Sequence, residues 1–262
     1  MTTSPPENPP HAAPVRVRLE TVDSTSLEAR RRIDAEQTPT GRPLLIRATV
    51  QTAGRGRQER AWSSPPGGLW MTLACPEPAF APPALGALGL RVGLALTEAV
   101  AETAPSLAPR LKWPNDVMIE GRKVAGALTE ILTRRGRRWI LIGCGVNADL
   151  DPDDLPGDLR RAATTLREHD PRPRHADRLA EILERRLLEE LERPRPAPRL
   201  ARDAERVLHG LGESMSVRTP SGERRDAVLI GLEPDGRAVF ELPSGERFAP
   251  PGAVEIVADA AP

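Results

Sequence analysis

The chain has 262 residues, of which 39% are hydrophobic and 28% are charged, and its formal net charge is zero. A neutral chain has no overall basic field for nucleic acid or anionic lipid, and its apolar stretches end well before the ~20 residues of a membrane span. Its two cysteines, Cys75 and Cys144, form no CxxC pair, and its four histidines lack metal-ligand spacing. These features predict a cytoplasmic protein of one to two domains without a metal site, membrane segment or disulfide scaffold.

The N-terminal segment 1–14 is rich in proline, serine and threonine and lacks the regions of a signal peptide, which predicts a disordered tail. Alternating polarity over residues 15–23 predicts a first strand. A helix is expected to follow, because Thr25 with Glu28 three residues later fits a capping box. A second strand is expected over residues 42–51.

Residues 52–68 are too polar and too rich in glycine and proline for either element, so they predict a long loop. Loops of this length in compact domains are usually functional or disordered. Strand patterns are then found over residues 69–75, 110–120, 122–132 and 137–149. Helical patterns are found over residues 82–102 and 176–193, with a break at 194–199 and a further helix to about Gly210.

From about Met215 the chain consists of short strand-like segments. Turn signals separate them at Ser221-Gly222, Asp235-Gly236 and Ser244-Gly245. This pattern is typical of a small all-β barrel. The predicted organisation is therefore a tail over 1–14, a mixed α/β domain over 15–212 and a β domain over 213–260.

The 37 basic residues include only two lysines, Lys112 and Lys123. Two of the three asparagines, Asn115 and Asn147, lie close to them in the chain. A lysine ammonium is compact enough to reach a single phosphate oxygen in a tight site, unlike the broader guanidinium. Both lysines are therefore candidates for anion binding. The alternatives are that Lys112 merely belongs to a turn at Pro114 and that Lys123 protects an edge strand.

The loop sequence AGRGRQERAW places Arg55, Arg57 and Arg60 among Gly54 and Gly56. Glycines let backbone amides approach an anion closely, and arginines offer forked donors to phosphate or carboxylate. This loop could close over a phosphorylated ligand. The alternatives are a solvated charged loop and an RNA-binding segment.

Glycines also mark two predicted strands. Gly126 follows Lys123 closely and leaves room beside it for a ligand. Gly143 and Gly145 indicate close approach of a ligand or of backbone. They do not form a dinucleotide-binding motif, and the sequence also contains no P-loop and no Ser-His-Asp, paired-carboxylate or nucleophilic-cysteine pattern.

The motifs DSTS, QTAGRGRQERAW, KWPNDV, GRKVAGALTE and IGCGVNAD occur in this order before the β-rich C-terminal region. Each is ordinary alone, but the ordered set, from about Val15 to Val257, resembles that of biotin protein ligases, also called biotin–[acetyl-CoA-carboxylase] ligases. The resemblance implies an α/β catalytic domain whose mixed sheet is similar to the class II aminoacyl-tRNA synthetase and biotin–lipoate ligase core. It also implies an SH3-like C-terminal β-barrel.

The resemblance further implies a two-step reaction. The biotin carboxylate attacks the α-phosphate of Mg²⁺-ATP to give biotinyl-5′-AMP and pyrophosphate. A lysine of a biotin carboxyl carrier protein, from acetyl-CoA carboxylase or a related acyl-CoA carboxylase, then attacks the mixed anhydride and releases AMP. The expected ligands are biotin, ATP and Mg²⁺, and a homodimer is as compatible with the sequence as a monomer.

By the same resemblance, biotin's ureido ring would be held by Ser24, Thr25, Ser26 and Gln51. The loop that orders over the adenylate would contain Gly54, Arg55, Gly56, Arg57, Arg60 and Trp62, with Trp62 on the adenine side. Lys123 and Arg57 would act on the reacting anions, and Lys112 and Asp116 would form a second polar cluster in which Asp116 orients or deprotonates the incoming amine. The remaining residues would shape the site: Asn115, Gly126, Gly143 and Asn147.

Three departures from the family pattern stand out. Ser26 occupies a position that is often asparagine, which bears on the ureido contacts, and Glu59 replaces the usual glycine after the loop arginines, which bears on loop closure. Many bacterial members begin with a winged-helix DNA-binding domain, whereas about 14 residues precede the first predicted strand here. We therefore expect no repressor role and no nucleic-acid partner.

Two other functions share parts of this pattern. Lipoate ligases and lipoyl or octanoyl transferases share the core fold but lack the GRGR loop joined to KWPND. A non-catalytic biotin sensor would not need the phosphate-binding Lys123 and Arg57. The sequence therefore favours the biotin ligase.

Overall fold

The computed structural model of the chain describes residues 13–38, 41–57, 60–76, 87–173, 175–218, 223–250 and 255–257. The strands are β1 Val15–Val22, β2 Leu44–Gln51, β3 Leu69–Pro76, β4 Arg110–Lys112, β5 Asp116–Ile119, β6 Arg122–Arg134, β7 Arg137–Val146, β8 Ser214–Arg218, β9 Arg224–Leu232, β10 Ala238–Glu241, β11 Arg247–Phe248 and β12 Glu255–Val257. The helices are α1 Thr25–Asp34, α2 Leu88–Thr103, α3 Leu166–His169, α4 His175–Glu192 and α5 Ala197–Glu205. Four predictions lie wholly or partly outside the described residues: most of the tail (1–12), Glu59, the first residues of the predicted helix (82–86) and the turn at Ser221-Gly222.

Two sequence predictions were wrong in detail. The segment 110–120 forms two antiparallel strands, β4 and β5, joined by a turn that contains a cis peptide bond between Trp113 and Pro114. The capping box at Thr25 is absent, because Thr25 is the first residue of α1 and Ser24 is the N-cap without a side-chain cap bond. The side chain of Gln51, 26 positions away, instead accepts a hydrogen bond from the Thr25 backbone N–H at 2.9 Å.

Seven strands of the described chain form one mixed sheet in the order β1-β2-β3-β7-β6-β5-β4. Only β1 and β2 pair in parallel, and the remaining neighbours are antiparallel. Helix α1 connects β1 to β2, as the crossover between parallel strands requires. The mixed α/β fold with one large sheet is therefore confirmed.

Helices cover both faces of this sheet. On one face, α2 and α4 pack over a large apolar core that includes Leu73, Leu96 and Leu183. On the other face, α1 packs through Ala29 and Ile33 against one half of the sheet. The other half of that face carries Gly143 and Gly145 of β7 instead of large apolar side chains, so it remains open for a ligand.

Helices α2 and α4 are also joined by charged residues between them. Arg91 and Glu190 form an ion pair at 2.5 Å whose side chains are 4% and 7% exposed. Arg91 also donates to the Arg195 carbonyl oxygen at 2.8 Å. In a buried ion pair of this kind, each charge is compensated by its partner's opposite charge.

The C-terminal strands form a second, antiparallel sheet in the order β11-β10-β9-β8-β12 within the described residues. The closed barrel predicted from sequence is not confirmed, because the described strands form an open sheet. This sheet shares an apolar cluster with α2, α5 and the β4 region, including Leu94, Leu111, Trp113 and Phe240. Trp113 Nε1 donates to the Gly236 carbonyl oxygen at 2.8 Å, which ties the turn after β4 to the turn before β10.

Among the described residues, no helix combines the length and the apolar character that a membrane crossing needs.

Candidate active site

A cleft of about 360 Å³ lies on the open half of the α1 face of the large sheet. Its walls come from the start of α1, the loop 52–68, strands β5 to β7 and the segment that follows β7. Sixteen of the seventeen site residues predicted from sequence line it: Ser24, Thr25, Ser26, Gln51, Arg55, Gly56, Arg57, Arg60, Trp62, Lys112, Asn115, Asp116, Lys123, Gly126, Gly143 and Asn147. Their individual roles stay predictions.

The remaining predicted residue, Gly54, lies behind the cleft and supports the loop. Its carbonyl oxygen accepts from the Trp62 backbone N–H at 2.9 Å. A Cβ at position 54 would lie 2.4 Å from the Trp62 carbonyl oxygen, so no larger residue fits without moving the loop.

Two glycines form the floor of the cleft. Gly126 of β6 and Gly145 of β7 are directly paired, and Asp116 of β5 pairs with Gly126 in the same row. A Cβ on Gly126 would lie 2.9 Å from Asp116 Oδ1 and 3.1 Å from Lys123 Nζ, and a Cβ on Gly145 would lie 2.7 Å from the Trp62 ring. Functional side chains therefore occupy the space that Cβ atoms would fill.

Lys123 lies between an acid and an aromatic ring above this floor. Its Nζ is 2.7 Å from Asp116 Oδ2 and 5.0 Å from the centroid of the Trp62 ring. Both charged side chains are about one-third exposed, so an incoming anion can reach the ammonium. The carboxylate and the π face together hold the ammonium in place beside the cleft.

Among the described residues that line the cleft, positive charges outnumber negative ones. Its lining residues include five cations and one acid: Lys112, Lys123, Arg55, Arg57, Arg60 and Asp116. Burial lowers the pKa of Lys112. The nearby charge of Asp116 raises this pKa, and the charge of Lys123 lowers it further. A cleft with this excess of positive charge is suited to a polyanion or to two anions held against their mutual repulsion.

At the α1 end the described residues that line the cleft are polar and uncharged. Gln51 Oε1 accepts from the Thr25 hydroxyl at 3.0 Å, and Gln51 Nε2 donates to Ser64 Oγ at 2.9 Å. Asp23 Oδ1 accepts from the Ser24 backbone N–H at 2.7 Å. The hydrogen bond from Arg31 lowers the pKa of Asp23 to about 2, so Asp23 is an ionised carboxylate paired with Arg31, and it is not among the residues that line the cleft. This end offers directed donors and acceptors for a neutral polar ring.

The arginine loop is held to the cleft by its own backbone. The Gly56 N–H donates to the Arg60 carbonyl oxygen at 2.8 Å, and Arg55 forms an antiparallel bridge with Ala61. These contacts pair the two described arms of the loop, from which Arg55, Arg57 and Arg60 line the cleft.

The two asparagines near the lysines make structural contacts. Asn115 and Asn147 are both 5% exposed. Asn115 Nδ2 donates to the Ala127 carbonyl oxygen, and Asn147 Nδ2 donates to the Thr164 carbonyl oxygen at 3.0 Å. The first bond fastens β6 to the turn before β5, and the second fastens the segment after β7 to Thr164. Both shape the site without requiring contact with a ligand.

Sequence reasoning missed an apolar wall that lies after β7. Its residues that line the cleft are Leu155, Leu159, Ala162 and Ala163. Leu155 packs with Trp70 and Leu150, and Trp62 and Ala163 pack against that cluster. Leucines in a segment of aspartates and prolines carried no periodic signal. The bridge between Lys123 and Ala163, which is parallel, brings this segment to the cleft. Local sequence patterns do not contain that contact.

Comparisons with known proteins identify the family of the chain. The family model described as "Biotin/lipoate A/B protein ligase family" matches residues 20–147. The "Biotin--[acetyl-CoA-carboxylase] ligase" of Mycobacterium tuberculosis is 30% identical over 202 residues, which cover 76% of this chain and 73% of that protein. The chain belongs to the biotin protein ligase family.

Two further relatives of this ligase family are informative. The "Bifunctional ligase/repressor BirA" of Bacillus subtilis is 39% identical over 124 residues, 47% of this chain, and the match spans 38% of BirA's own length. The solved structure of the Aquifex aeolicus biotin protein ligase in complex with biotin and ATP has a TM-score of 0.75 and 25% identity. That likeness covers 92% of this chain and 99% of the other.

Proposed function

We propose that the chain is an ATP-dependent biotin protein ligase that forms biotinyl-5′-AMP and transfers biotin to a lysine of a biotin carboxyl carrier protein. The observation that carries this proposal is the juxtaposition in one cleft of a neutral polar end, at Thr25 and Gln51, with five cations and a single acid. The polar end suits the ureido ring of biotin. The cations suit a carboxylate and the phosphates of ATP, which would otherwise repel each other.

In the first step, Lys123 holds the biotin carboxylate against the α-phosphate. Its ammonium is already positioned by Asp116 and Trp62, so little reorganisation is needed when the anions arrive. Arg57, with Arg55 and Arg60 on the same loop, neutralises the phosphate oxygens as the carboxylate oxygen bonds to phosphorus and pyrophosphate leaves.

In the second step, the amine of the carrier lysine attacks the carbonyl carbon of the anhydride, and AMP leaves with the bonding electrons. The amine has to lose a proton. Asp116 is the only acid among the described residues that line the cleft, so we assign it the orientation or deprotonation of the amine. Lys112, whose pKa burial lowers, supports the charge on the departing phosphate from the neighbouring strand.

Magnesium is expected with ATP. Within the described ranges, no group of three or more His, Cys, Asp or Glu side chains could form a metal site. The donors that fit best are the phosphate oxygens of ATP, so the ion would enter with the nucleotide and neutralise its charge. Of the described residues that line the cleft, Asp116 is the carboxylate that could assist in holding it.

The same proposal extends to organisation and surroundings. We propose that the strands from β8 onward form the SH3-like module of a separate C-terminal domain, starting near residue 213. We also propose a cytoplasmic location, which is supported by the free, buried state of Cys75 and Cys144. A homodimer is a proposal that can be checked by measuring the mass in solution with and without biotin.

The proposal is tested by incubating the purified chain with biotin, Mg²⁺-ATP and a biotin carrier domain, and measuring the carrier by mass spectrometry. A mass gain of one biotin supports the ligase. Equal amounts of lipoate are added in a competition arm, and transfer of lipoate would favour a lipoate ligase. Biotin binding without transfer or adenylate formation would favour a sensor and overturn the proposal.

A further inference from the structure

A directed chain of hydrogen bonds runs behind the polar end of the cleft, starting at Trp62. Ser64 Oγ donates to the Trp62 carbonyl oxygen at 3.1 Å and accepts from Gln51 Nε2 at 2.9 Å. Gln51 Oε1 accepts from the backbone N–H of Thr25 at 2.9 Å and from its hydroxyl at 3.0 Å. A backbone N–H can only donate and an amide oxygen can only accept, so the orientation of the Gln51 amide is fixed.

Thr72 of β3 extends this chain. Its hydroxyl is fully buried, 2.8 Å from Thr25 Oγ1 and 3.0 Å from Ser26 Oγ. The Thr25 proton is donated to Gln51, so the Thr25 oxygen accepts the proton of Thr72. Thr72 then has no proton left and accepts from Ser26. The reverse direction would leave two acceptors facing each other between Thr25 and Gln51, which is unfavourable in a buried site.

We infer that Thr72, although it does not line the cleft, is a positioning residue that makes Ser26 Oγ a hydrogen-bond acceptor toward the ligand. Ser26 does line the cleft, and its single proton is directed away from it, to Thr72. Ser26 therefore presents lone pairs and selects a ligand N–H. A ligand oxygen at the same point would place lone pairs against lone pairs.

This inference rests on the proposed function, in which the ligand at this end is the ureido ring of biotin with its two N–H groups. It assigns one of these N–H groups to Ser26. An asparagine amide, which the resemblance often implies at this position, can both donate and accept. Ser26 bound to Thr72 can only accept, so it restricts the ligand group at this point to a hydrogen-bond donor.

The test uses biotin and its two cyclic-carbamate analogues, in each of which one ring N–H is replaced by an oxygen of similar size. Their dissociation constants are measured by calorimetry for the wild-type chain and for three variants, Thr72→Val, Thr72→Ser and Ser26→Ala. Valine retains the β-branched shape that suits a buried strand but cannot take the Ser26 proton. Serine retains the hydroxyl and is the matched control.

For the wild type, we expect one of the two analogues to bind about five- to tenfold more weakly than biotin, the effect of about one net hydrogen bond. Thr72→Ser should keep the wild-type ratio of the analogue's dissociation constant to that of biotin. Thr72→Val and Ser26→Ala should bring it close to one. In the transfer assay, Thr72→Val should raise the KM for biotin with little change in kcat, and melting curves should show that each variant is folded.

Two outcomes would overturn the inference alone: wild-type chain that binds both analogues as well as biotin, or a Thr72→Val variant that retains the wild-type ratio. If Thr72→Val does not fold, the Ser26→Ala ratio still decides whether Ser26 is the acceptor. A wild-type chain that binds no biotin would instead overturn the proposed function, which separates the two failures.

Discussion

Lys123 Nζ and Asp116 Oδ2 lie 2.7 Å apart directly above Gly126, which has no side chain to fill that space. The distance from the ideal Cβ of Gly126 to Nζ is only 3.1 Å, so the ammonium fits with little room to spare. A guanidinium is broader and planar and cannot be substituted there without moving its neighbours. This relationship explains why lysine persists in an arginine-rich chain.

The first prediction is that Lys123→Arg lowers the rate of biotinyl-5′-AMP formation by about a hundredfold, the cost of displacing a charge by about 1 Å. The rate is measured by pyrophosphate release in a single turnover. Arg122→Lys is the matched control, because Arg122 precedes it on β6 and pairs with Glu168 on the surface. Wild-type rates in Lys123→Arg would refute the argument from lysine shape.

The second prediction concerns the floor of the cleft. Gly145→Ala would place a methyl group 2.7 Å from the Trp62 ring and displace it. We expect biotin and ATP affinity to fall by about tenfold or more, together with a change in tryptophan fluorescence. Gly157→Ala is the control, since a Cβ there meets nothing within 4 Å. Equal affinities in the two variants would show that Trp62 can move without consequence.

The third prediction concerns pH. Burial lowers the pKa of Lys112 below its ordinary value of 10.5. Between the lowered folded pKa and the unfolded value, the unfolded chain binds more protons, so Lys112 makes stability rise with pH in that window. Lys112→Met should remove this rise. The free energy of unfolding in urea is measured for both chains from about pH 7.5 to about pH 10, and parallel curves would contradict the prediction.

The fourth prediction concerns the buried ion pair between α2 and α4. Glu190→Leu should destabilise the chain by about 3–5 kcal/mol, because Arg91 is left charged and buried without its carboxylate. The double variant Arg91→Met/Glu190→Leu should recover most of that loss, because no charge is then left unpaired. Denaturant unfolding measures both. A double variant no more stable than Glu190→Leu would contradict the explanation from an unpaired buried charge.

Part of this site could be predicted from sequence because its residues are unusual for the chain. Two lysines and two asparagines were noticeable, and the GRGR loop was too polar to be a strand. Thr72 had no such signal, because a threonine in a buried strand is unremarkable until Thr25 and Ser26 are seen beside it. The same holds for Leu155 and Leu159, whose position in the cleft depends on how a loop is fastened to β6.

The fold shows the same limit. Periodicity was sufficient for α2, α4 and the long strands, since their apolar residues recur at regular intervals. It was not sufficient at Thr25, where a distant glutamine replaced the expected local cap. For the site and for the fold alike, the missing information was a contact between residues far apart in the chain. Local sequence patterns cannot contain such a contact.

The hydrogen bond from Trp113 to Gly236 has a consequence for how the proposed activity would be lost on heating. Trp113 stands two positions before Asn115, whose carbonyl oxygen and side chain hold β6 at Ala127. If the C-terminal sheet detaches, the turn between β4 and β5, which carries Asn115, loses its packing partner. Catalytic decay on heating should then track the loosening of the C-terminal sheet, so thermal inactivation would begin at a distance from the substrates.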